Sequence, residues 1–177
     1  FQTETRRVYP QGAATAHTVG YVNVDGAGLA GVERRWGERL AAGKDLTLAI
    51  DVRAQFAVRE AVGAALRAHQ AKAGVGLLMD ARTGELAALV SIPEFDPADP
   101  AGAPAAARFN NATLGVFEMG STFKIFTTAI ALETKVVDLA GGYDASAPIE
   151  AYGHTITDFH PKARWLSVPE IFKYSSN

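Results

Sequence analysis

The sequence predicts an α+β fold, in which helices pack on an antiparallel sheet. Residues 51 to about 73 repeat their apolar side chains with the period of a helix. Two apolar runs, 75–80 and 85–91, flank the turn-forming tip 81–84 and so predict a hairpin. A second helical pattern begins after Gly120. Together these three observations indicate a layer of helices against neighbouring antiparallel strands.

Residues 1–46 differ in pattern from the rest of the chain. Turn-forming residues such as Pro10 and Gly12 separate short apolar stretches, which predicts extended segments joined by turns. A short charged helix is expected over 32–40. Because the pattern then becomes strand-like, we assign 1–46 to one domain and 47–177 to another.

The stretch from 46 to 104 is predicted to form a strand, a helix, a hairpin and a loop. The strand-like run 46–50 leads into Asp51, a favourable N-cap, and Gly74 is expected to end the helix. The hairpin runs are apolar without alternation, so both faces of the hairpin should be covered by helices. Half of the chain's 8 prolines fall in 93–104, which must therefore be a loop.

Ser121 and Lys124 form a candidate nucleophile and base. Gly120 precedes Ser121, and the apolar pattern that follows predicts a mostly buried helix. Residues three apart lie on one face of a helix, so the hydroxyl and the amine can touch. A desolvated lysine can act as a base for a serine nucleophile. Backbone N–H groups at the start of the helix would stabilise an oxyanion formed there.

A structural role is the simpler interpretation of this pair, because a serine near a helix start is more often an N-cap than a nucleophile. The end of the chain favours the catalytic interpretation. Ser175 and Asn177 form a Ser-x-Asn sequence downstream of the Ser-x-x-Lys helix, an order typical of one class of serine acyl-transferases. A helix capped by Ser167, with Glu170 in its first turn, is predicted to carry Ser175 and Asn177 at its far end.

Between the two motifs, residues 149–157 predict a short hairpin around 152–153. Asp158 and His160 follow it and could complete a Ser-His-Asp set with Ser121. We prefer Lys124 as the base, because neighbouring aspartate and histidine residues seldom form a relay.

Composition excludes several classes of protein. The 177 residues are 48% hydrophobic and 20% charged, and the net charge of −2 gives no basic surface for nucleic acid. The longest apolar stretches are well short of the roughly 18 residues that span a bilayer. Cysteine is absent, which excludes disulfides and thiolate chemistry.

The motifs taken together, over nearly the whole chain, resemble one family. The chain contains four such motifs: Arg-x-Tyr-Pro-x-Gly at 7–12, Asp-x-x-Thr-Gly-Glu at 80–85, Gly-Ser-Thr-Phe-Lys at 120–124 and Tyr-Ser-Ser-Asn at 174–177. This set resembles the class B penicillin-binding proteins, the peptidoglycan D,D-transpeptidases. Gly-Tyr-Val-Asn at 20–23 resembles their cell-division (septal) branch.

The resemblance implies a penicillin-binding, serine β-lactamase-like transpeptidase fold. It makes 1–46 the C-terminal part of a pedestal domain and 47–177 the N-terminal part of the transpeptidase domain. The family's third motif, Lys-Thr-Gly, would follow residue 177. We therefore expect the chain to be part of a longer protein and to acylate poorly by itself.

The resemblance also implies a role for each motif residue. Ser121 would be the nucleophile, Lys124 its general base and Ser175 a proton relay to the leaving amine. Asn177 would position the substrate amide and Lys124. No metal or organic cofactor is implied, since Ser-Lys chemistry needs neither.

The implied partners are peptidoglycan stem peptides ending in D-Ala-D-Ala, β-lactam antibiotics and cell-division membrane proteins that include a glycosyltransferase. The implied location is the outer face of the cytoplasmic membrane, with a single N-terminal anchor outside this chain. Two alternatives stay open. One is a β-lactamase or penicillin sensor of the same fold, and the other is a non-catalytic scaffold for cell-division proteins that binds through 1–46.

Overall fold

The computed structural model describes residues 6–177. Contacts among these residues divide them into two compact units, one that ends at Val116 and one that spans Phe117–Asn177. The domain boundary predicted between residues 46 and 47 stays a prediction. Helices and antiparallel strands are present in both units, which confirms the α+β fold class. No helix within 6–177 combines the length and the apolar character needed to cross a membrane.

The first unit begins with short helical pieces. A 3₁₀ turn, Gly12–Thr15, is followed by three short helices: α1 (Ala16–Val19), α2 (Gly31–Arg35) and α3 (Gly37–Ala41). The expectation of extended segments is therefore wrong for 12–19. Gly12 adopts a φ of +50° and its N–H donates to Tyr9 O, which turns the chain into the helical pieces. The charged helix predicted over 32–40 is observed as α2 and α3.

Helix α4 (Val52–His69) begins as predicted. Asp51 is its N-cap, and the carboxylate accepts hydrogen bonds from Arg53 N and Ala54 N at 2.8 and 3.2 Å. The predicted end at Gly74 is wrong, because Gln70 takes a left-handed conformation with a φ of +50° and ends the helix.

The first unit's sheet is the hairpin of β1 (Gly74–Met79) and β2 (Leu86–Ile92), paired antiparallel. Glycine in β1 lets α4 approach closely. A Cβ atom on Gly74 would lie 2.3 Å from Leu66 Cδ1, and one on Gly76 would lie 2.5 Å from Val58 Cγ1. Larger side chains would therefore push the helix off the strand.

The expectation that helices cover both faces of this hairpin is wrong for β1. Successive strand residues point to opposite faces, and α4 covers the face that carries the two glycines. Leu77 and Met79 point the other way and are 55% and 57% exposed. In the described part of the chain, residues 46–50 join no strand ladder. The backbone hydrogen bond to the hairpin is made by the next residue, since Asp51 N donates to Ala87 O at 2.9 Å.

Gln55 is a buried polar link between three elements of the first unit. Its side chain is 1% exposed. The amide nitrogen donates to Ala14 O and Leu89 O, both at 2.7 Å, and the amide oxygen accepts from Leu89 N at 2.9 Å. The 3₁₀ turn, α4 and β2 are thus joined through one side chain.

We expect Gln55→Leu to lower the free energy of unfolding by about 3 kcal/mol, because it leaves three buried backbone groups without partners. Denaturant-induced unfolding measures this. The control is Gln11→Leu, an exposed position with no side-chain cap bond, for which we expect a change within about 0.5 kcal/mol. Equal stabilities of the two variants would contradict the role assigned to Gln55.

Residues 93–104 form a loop, as predicted, and lead to α5 (Ala105–Arg108) and α6 (Asn111–Leu114). Phe95 in this loop is 5% exposed and packs with Ala16 and Ala107 in the core. The rings of His17 and Tyr21 meet it edge-on, at centroid distances of 5.2 and 5.6 Å. The proline-rich loop therefore anchors the N-terminal helical pieces.

The second unit contains two helices and four short strands. A 3₁₀ turn (Gly120–Phe123) precedes α7 (Lys124–Glu133). The remaining elements are β3 (Gly142–Asp144), β4 (Ile149–Ala151), β5 (His154–Ile156), β6 (Trp165–Ser167) and α8 (Val168–Tyr174). β3 pairs antiparallel with β6, and β4 with β5. The hairpin predicted around 152–153 is confirmed.

The prediction that the helix after Ser121 is mostly buried is wrong. Phe123, Phe126 and Ile130 are 58%, 60% and 61% exposed. Within this unit α8 packs against α7, and that contact covers only part of the helix surface. The buried hydrophobic side chains of the unit lie instead at the junction of β6 and α8, where Leu166 and Val168 are 0% and 6% exposed.

Candidate active site

The first motif forms a tight turn at the start of α7. Gly120 has a φ of +52°, a conformation that glycine adopts without strain. The 3₁₀ turn that follows places residues three apart directly above one another. Ser121 and Lys124 therefore project from the same side of the chain, Ser121 exposed and Lys124 half-buried.

Helix α8 delivers the second motif, and its start is capped as predicted. Glu170 N donates to Ser167 Oγ at 3.4 Å, while Glu170 Oε2 accepts from Ser167 N at 3.0 Å. Arg164 Nη2 donates to Glu170 Oε1 at 2.8 Å. The Arg164 guanidinium, with the hydrogen bonds from Ser167, lowers the pKa of Glu170 to about 2.

This shift predicts a pH-dependent contribution to stability. Because the folded-state pKa lies below the ordinary value, the ionised Glu170 stabilises the fold near and above pH 4.5, and this is lost as pH falls through about 2. We expect Glu170→Gln to lower the melting temperature at pH 7 and to lose that effect toward pH 2. Thermal unfolding at several pH values measures it. A difference in melting temperature between wild type and Glu170→Gln that persists at low pH would contradict the assignment. The control is Glu133→Gln, at an exposed position.

The chain reverses at the end of α8 and presents its oxygens to Lys124. Ser175 adopts a left-handed conformation with a φ of +55°. Lys124 Nζ donates to Ser175 O at 2.6 Å, to Ser175 Oγ at 3.3 Å and to Ser176 O at 3.0 Å. The nitrogen of Lys124 is thus held by three oxygens of the turn that carries the second motif.

A carboxylate holds the same turn from the other side. Asp158 Oδ2 accepts from Ser176 Oγ and Asp158 Oδ1 from Asn177 N, both at 2.6 Å. Asn177 Nδ2 donates to Thr157 O at 2.7 Å. The hydrogen bond from Ser176, the backbone N–H of Asn177 and the charge of Lys124 all lower the pKa of Asp158, against the effect of desolvation.

The predicted site residues are thus brought together in part. Lys124 and Ser175 are in direct contact. Among the described residues, no hydrogen bond links Ser121 Oγ to Lys124 Nζ, although the turn places both on one side. Asn177 contacts Thr157 and Asp158, and within 6–177 it makes no hydrogen bond to Lys124.

In the sequence, Asp158 is a candidate member of a Ser-His-Asp set. In the structure its carboxylate is bonded to Ser176 and Asn177, while the ring of His160 stacks edge-on against Phe159 at 4.5 Å. Sequence spacing gave no sign of the bond to Ser176, because 18 residues separate the two partners.

The arrangement can transfer protons between two hydroxyls. Lys124 Nζ lies 3.3 Å from Ser175 Oγ, and Lys124 follows Ser121 by one turn. Such a set can activate a serine nucleophile and return the proton to a leaving group. Within 6–177, no three His, Cys, Asp or Glu side chains are grouped to hold a metal ion.

Comparison with known proteins identifies the family of this chain. The family described as "Penicillin binding protein transpeptidase domain" matches residues 74–177. A probable peptidoglycan D,D-transpeptidase FtsI of Caulobacter vibrioides is 40% identical over 182 residues, covering 100% of this chain and 31% of that protein. The peptidoglycan D,D-transpeptidase FtsI of Escherichia coli K12 is 33% identical, with 98% and 34% covered. The chain thus spans about a third of the length of these curated relatives.

The fold agrees with solved structures. A putative peptidoglycan glycosyltransferase from Atopobium parvulum superposes with a TM-score of 0.82 at 25% identity, covering 97% of this chain and 43% of that one. A peptidoglycan synthetase from Bifidobacterium adolescentis gives a TM-score of 0.83 at 19% identity, with 98% and 36% covered, which supports the fold alone. The chain belongs to the penicillin-binding transpeptidase family and, by its likeness to FtsI proteins, to the class B penicillin-binding proteins.

Proposed function

We propose that this chain carries the nucleophile and the general base of a serine D,D-transpeptidase that cross-links peptidoglycan in septal cell-wall synthesis. The observation that carries the proposal is the contact of Lys124 with Ser175, which joins the two motifs although 51 residues separate them. A chance Ser-x-x-Lys sequence would have no reason to bind the Ser-x-Asn turn. Residues 1–46 are proposed as pedestal and 47–177 as transpeptidase domain.

In the proposed reaction, Ser121 Oγ attacks the carbonyl carbon between the two terminal D-alanines of a stem peptide. Its proton passes to Lys124 Nζ. The C–N bond then breaks, and the amine of the departing D-alanine takes a proton through Ser175 Oγ. An ester on Ser121 remains. The amine of a second stem peptide attacks this ester, forms the cross-link and returns the proton to Ser121.

Asn177 is proposed to position the substrate amide through its side-chain oxygen. Its nitrogen already donates to Thr157 O, so the amide orientation is set and the oxygen is left as an acceptor. A β-lactam would be trapped at Ser121, because its strained amide replaces the peptide bond and its leaving group stays attached.

The proposed substrate places the protein outside the cytoplasmic membrane, where peptidoglycan is assembled. We propose a single N-terminal anchor outside this chain. The proposed partners are cell-division membrane proteins, including a glycosyltransferase that would supply the glycan strands. No nucleic acid is proposed, given the net charge of −2.

The test supplies the complete protein with glycan strands that carry pentapeptide stems. We expect release of free D-alanine together with cross-linked dimers, and loss of both after treatment with penicillin. Release of D-alanine without dimers would indicate a hydrolase. Continuous turnover of penicillin would indicate a β-lactamase, and absence of all three reactions would favour the scaffold.

A further inference from the structure

We propose that Lys162 and Lys173, gathered on the ring of Tyr174, form a binding site for a carboxylate of the stem peptide. This inference rests on the proposed function, because it names a feature of the substrate that the same site would recognise. Tyr174 directly precedes Ser175, whose hydroxyl contacts Lys124. The two lysines therefore lie beside the turn that carries the second motif.

The ring of Tyr174 brings two ammonium groups together. Lys162 Nζ lies 4.7 Å from the ring centroid, and Lys173 Nζ lies 5.5 Å from it. Cations at these distances are attracted by the electron-rich face of an aromatic ring. Lys162 belongs to the segment between β5 and β6, whereas Lys173 belongs to the last turn of α8. Two separate elements of the unit thus place their charges on one side chain.

Neither ammonium group is neutralised by a neighbouring side chain. Within 6–177, no carboxylate lies within salt-bridge distance of Lys162 or Lys173. Arg164 differs from them, because its guanidinium donates to Glu170 Oε1 at 2.8 Å. Like charges gathered on one ring repel each other, so a bound anion would lower the electrostatic energy of the cluster.

The positive charge of the second unit is concentrated at this place. Three of the unit's five lysine and arginine residues are at 162, 164 and 173, and all three are exposed. The chain as a whole carries a net charge of −2, so the cluster is a local exception. The helix dipole favours a cation at the C-terminal end of α8, which accounts for Lys173. It does not account for Lys162, which lies outside the helix.

A carboxylate is the anion that the proposed substrate offers. A stem peptide ending in D-Ala-D-Ala carries one at its C-terminus, and an acidic side chain within the stem would carry another. Lysine binds such a group as a flexible point charge, without the planar geometry that an arginine fork requires. The two sources share this chemistry, so the peptides used in the test distinguish them.

The test measures how strongly synthetic stem peptides protect the complete protein from acylation by a fluorescent penicillin, expressed as an inhibition constant. We expect Lys162→Gln and Lys173→Gln each to raise this constant about 3-fold, and the double variant about 10-fold, because an exposed ion pair contributes modestly to binding. The control is Lys135→Gln, which also removes an exposed positive charge and should change the constant by less than about 1.5-fold.

Two further measurements distinguish ligand binding from a general change in structure. Tyr174→Phe keeps the ring and should match wild type, whereas Tyr174→Leu removes it and should raise the inhibition constant about 3-fold. In assays of D-alanine release, the double lysine variant should raise KM and leave kcat within about twofold, because the lost contact lies away from the reacting atoms.

Amidated peptides identify the carboxylate that is bound. Amidation of the C-terminus, or of the acidic side chain, should abolish the difference between wild type and the double variant, and the effective change names the source. The inference is overturned if wild type is acylated at Ser121 and the double variant matches Lys135→Gln. It is also overturned if the difference persists with a peptide in which both carboxylates are amidated. Absence of acylation in wild type would instead overturn the proposed function, and this inference with it.

Discussion

Replacement of Ser121 by alanine is expected to abolish covalent labelling by penicillin completely. The variant lacks the oxygen that forms the ester, and Lys124 and Ser175 offer no substitute at that position. Release of D-alanine should fall by on the order of 10⁴-fold or more, as it does in serine hydrolases that lose their nucleophile. Gel fluorescence with a labelled penicillin measures the first effect, and a D-alanine assay measures the second.

The control for Ser121→Ala is Thr122→Ala, which removes a hydroxyl from the same 3₁₀ turn. We expect this variant to label like wild type. Equal labelling of Ser121→Ala and wild type would show that another residue is acylated, and the assignment of the nucleophile would then be wrong. Since Ser121 is exposed, neither variant should change the melting temperature measurably.

Replacement of Lys124 is expected to lower the acylation rate constant by on the order of 10³-fold, the usual contribution of a general base. Lys124→Gln removes both the base and the charge. Lys124→Arg keeps the charge and can still donate to the carbonyl oxygens of the turn, but a guanidinium does not release its proton near neutral pH. Both variants should therefore be inactive.

The Lys124→Gln and Lys124→Arg variants should differ in their free energy of unfolding. Lys124→Gln loses charge-assisted hydrogen bonds to Ser175 O and Ser176 O and should be less stable by about 1–3 kcal/mol. Lys124→Arg should retain most of that stability. Lys135→Gln, at an exposed position after α7, controls for the loss of a positive charge. An active Lys124→Arg would show that the residue acts only as a structural cation.

Features set by neighbouring residues were predictable from the sequence. The cap of α4 at Asp51 and the capping box of α8 depend on side chains that bond to backbone groups two or three positions away. The hairpin around 152–153 depends on a tight turn in which Gly153 adopts a φ of +79°, a conformation that glycine tolerates. In each case the interaction is local, so the order of residue types specifies it.

Features that depend on distant partners were not predictable in the same way. The apolar pattern after Ser121 predicted the helix correctly but its burial wrongly, because burial depends on what packs against the helix. The pairing of Asp158 with Ser176 is tertiary, since it joins the end of a hairpin to the end of a helix. The end of α4 at Gln70 could not be predicted either, because a left-handed glutamine is uncommon.

The site itself falls between these two cases. The motif order indicated that the Ser-x-x-Lys helix and the Ser-x-Asn sequence belong to one site, and Lys124 and Ser175 are in contact. The roles of Ser121 and Asn177 stay predictions, because among the described residues neither side chain is hydrogen-bonded to Lys124. The motif pattern therefore predicts which residues gather at the site, and reaction measurements must assign their roles.

The most direct test of Ser121 as the nucleophile is the intact mass of the complete protein before and after incubation with penicillin. We expect the mass to increase by one penicillin per molecule, and peptide mapping should place the adduct on Ser121. A complete, folded protein whose mass does not change, or an adduct on any other residue, would contradict the assignment of Ser121 and Lys124 as an acylation site.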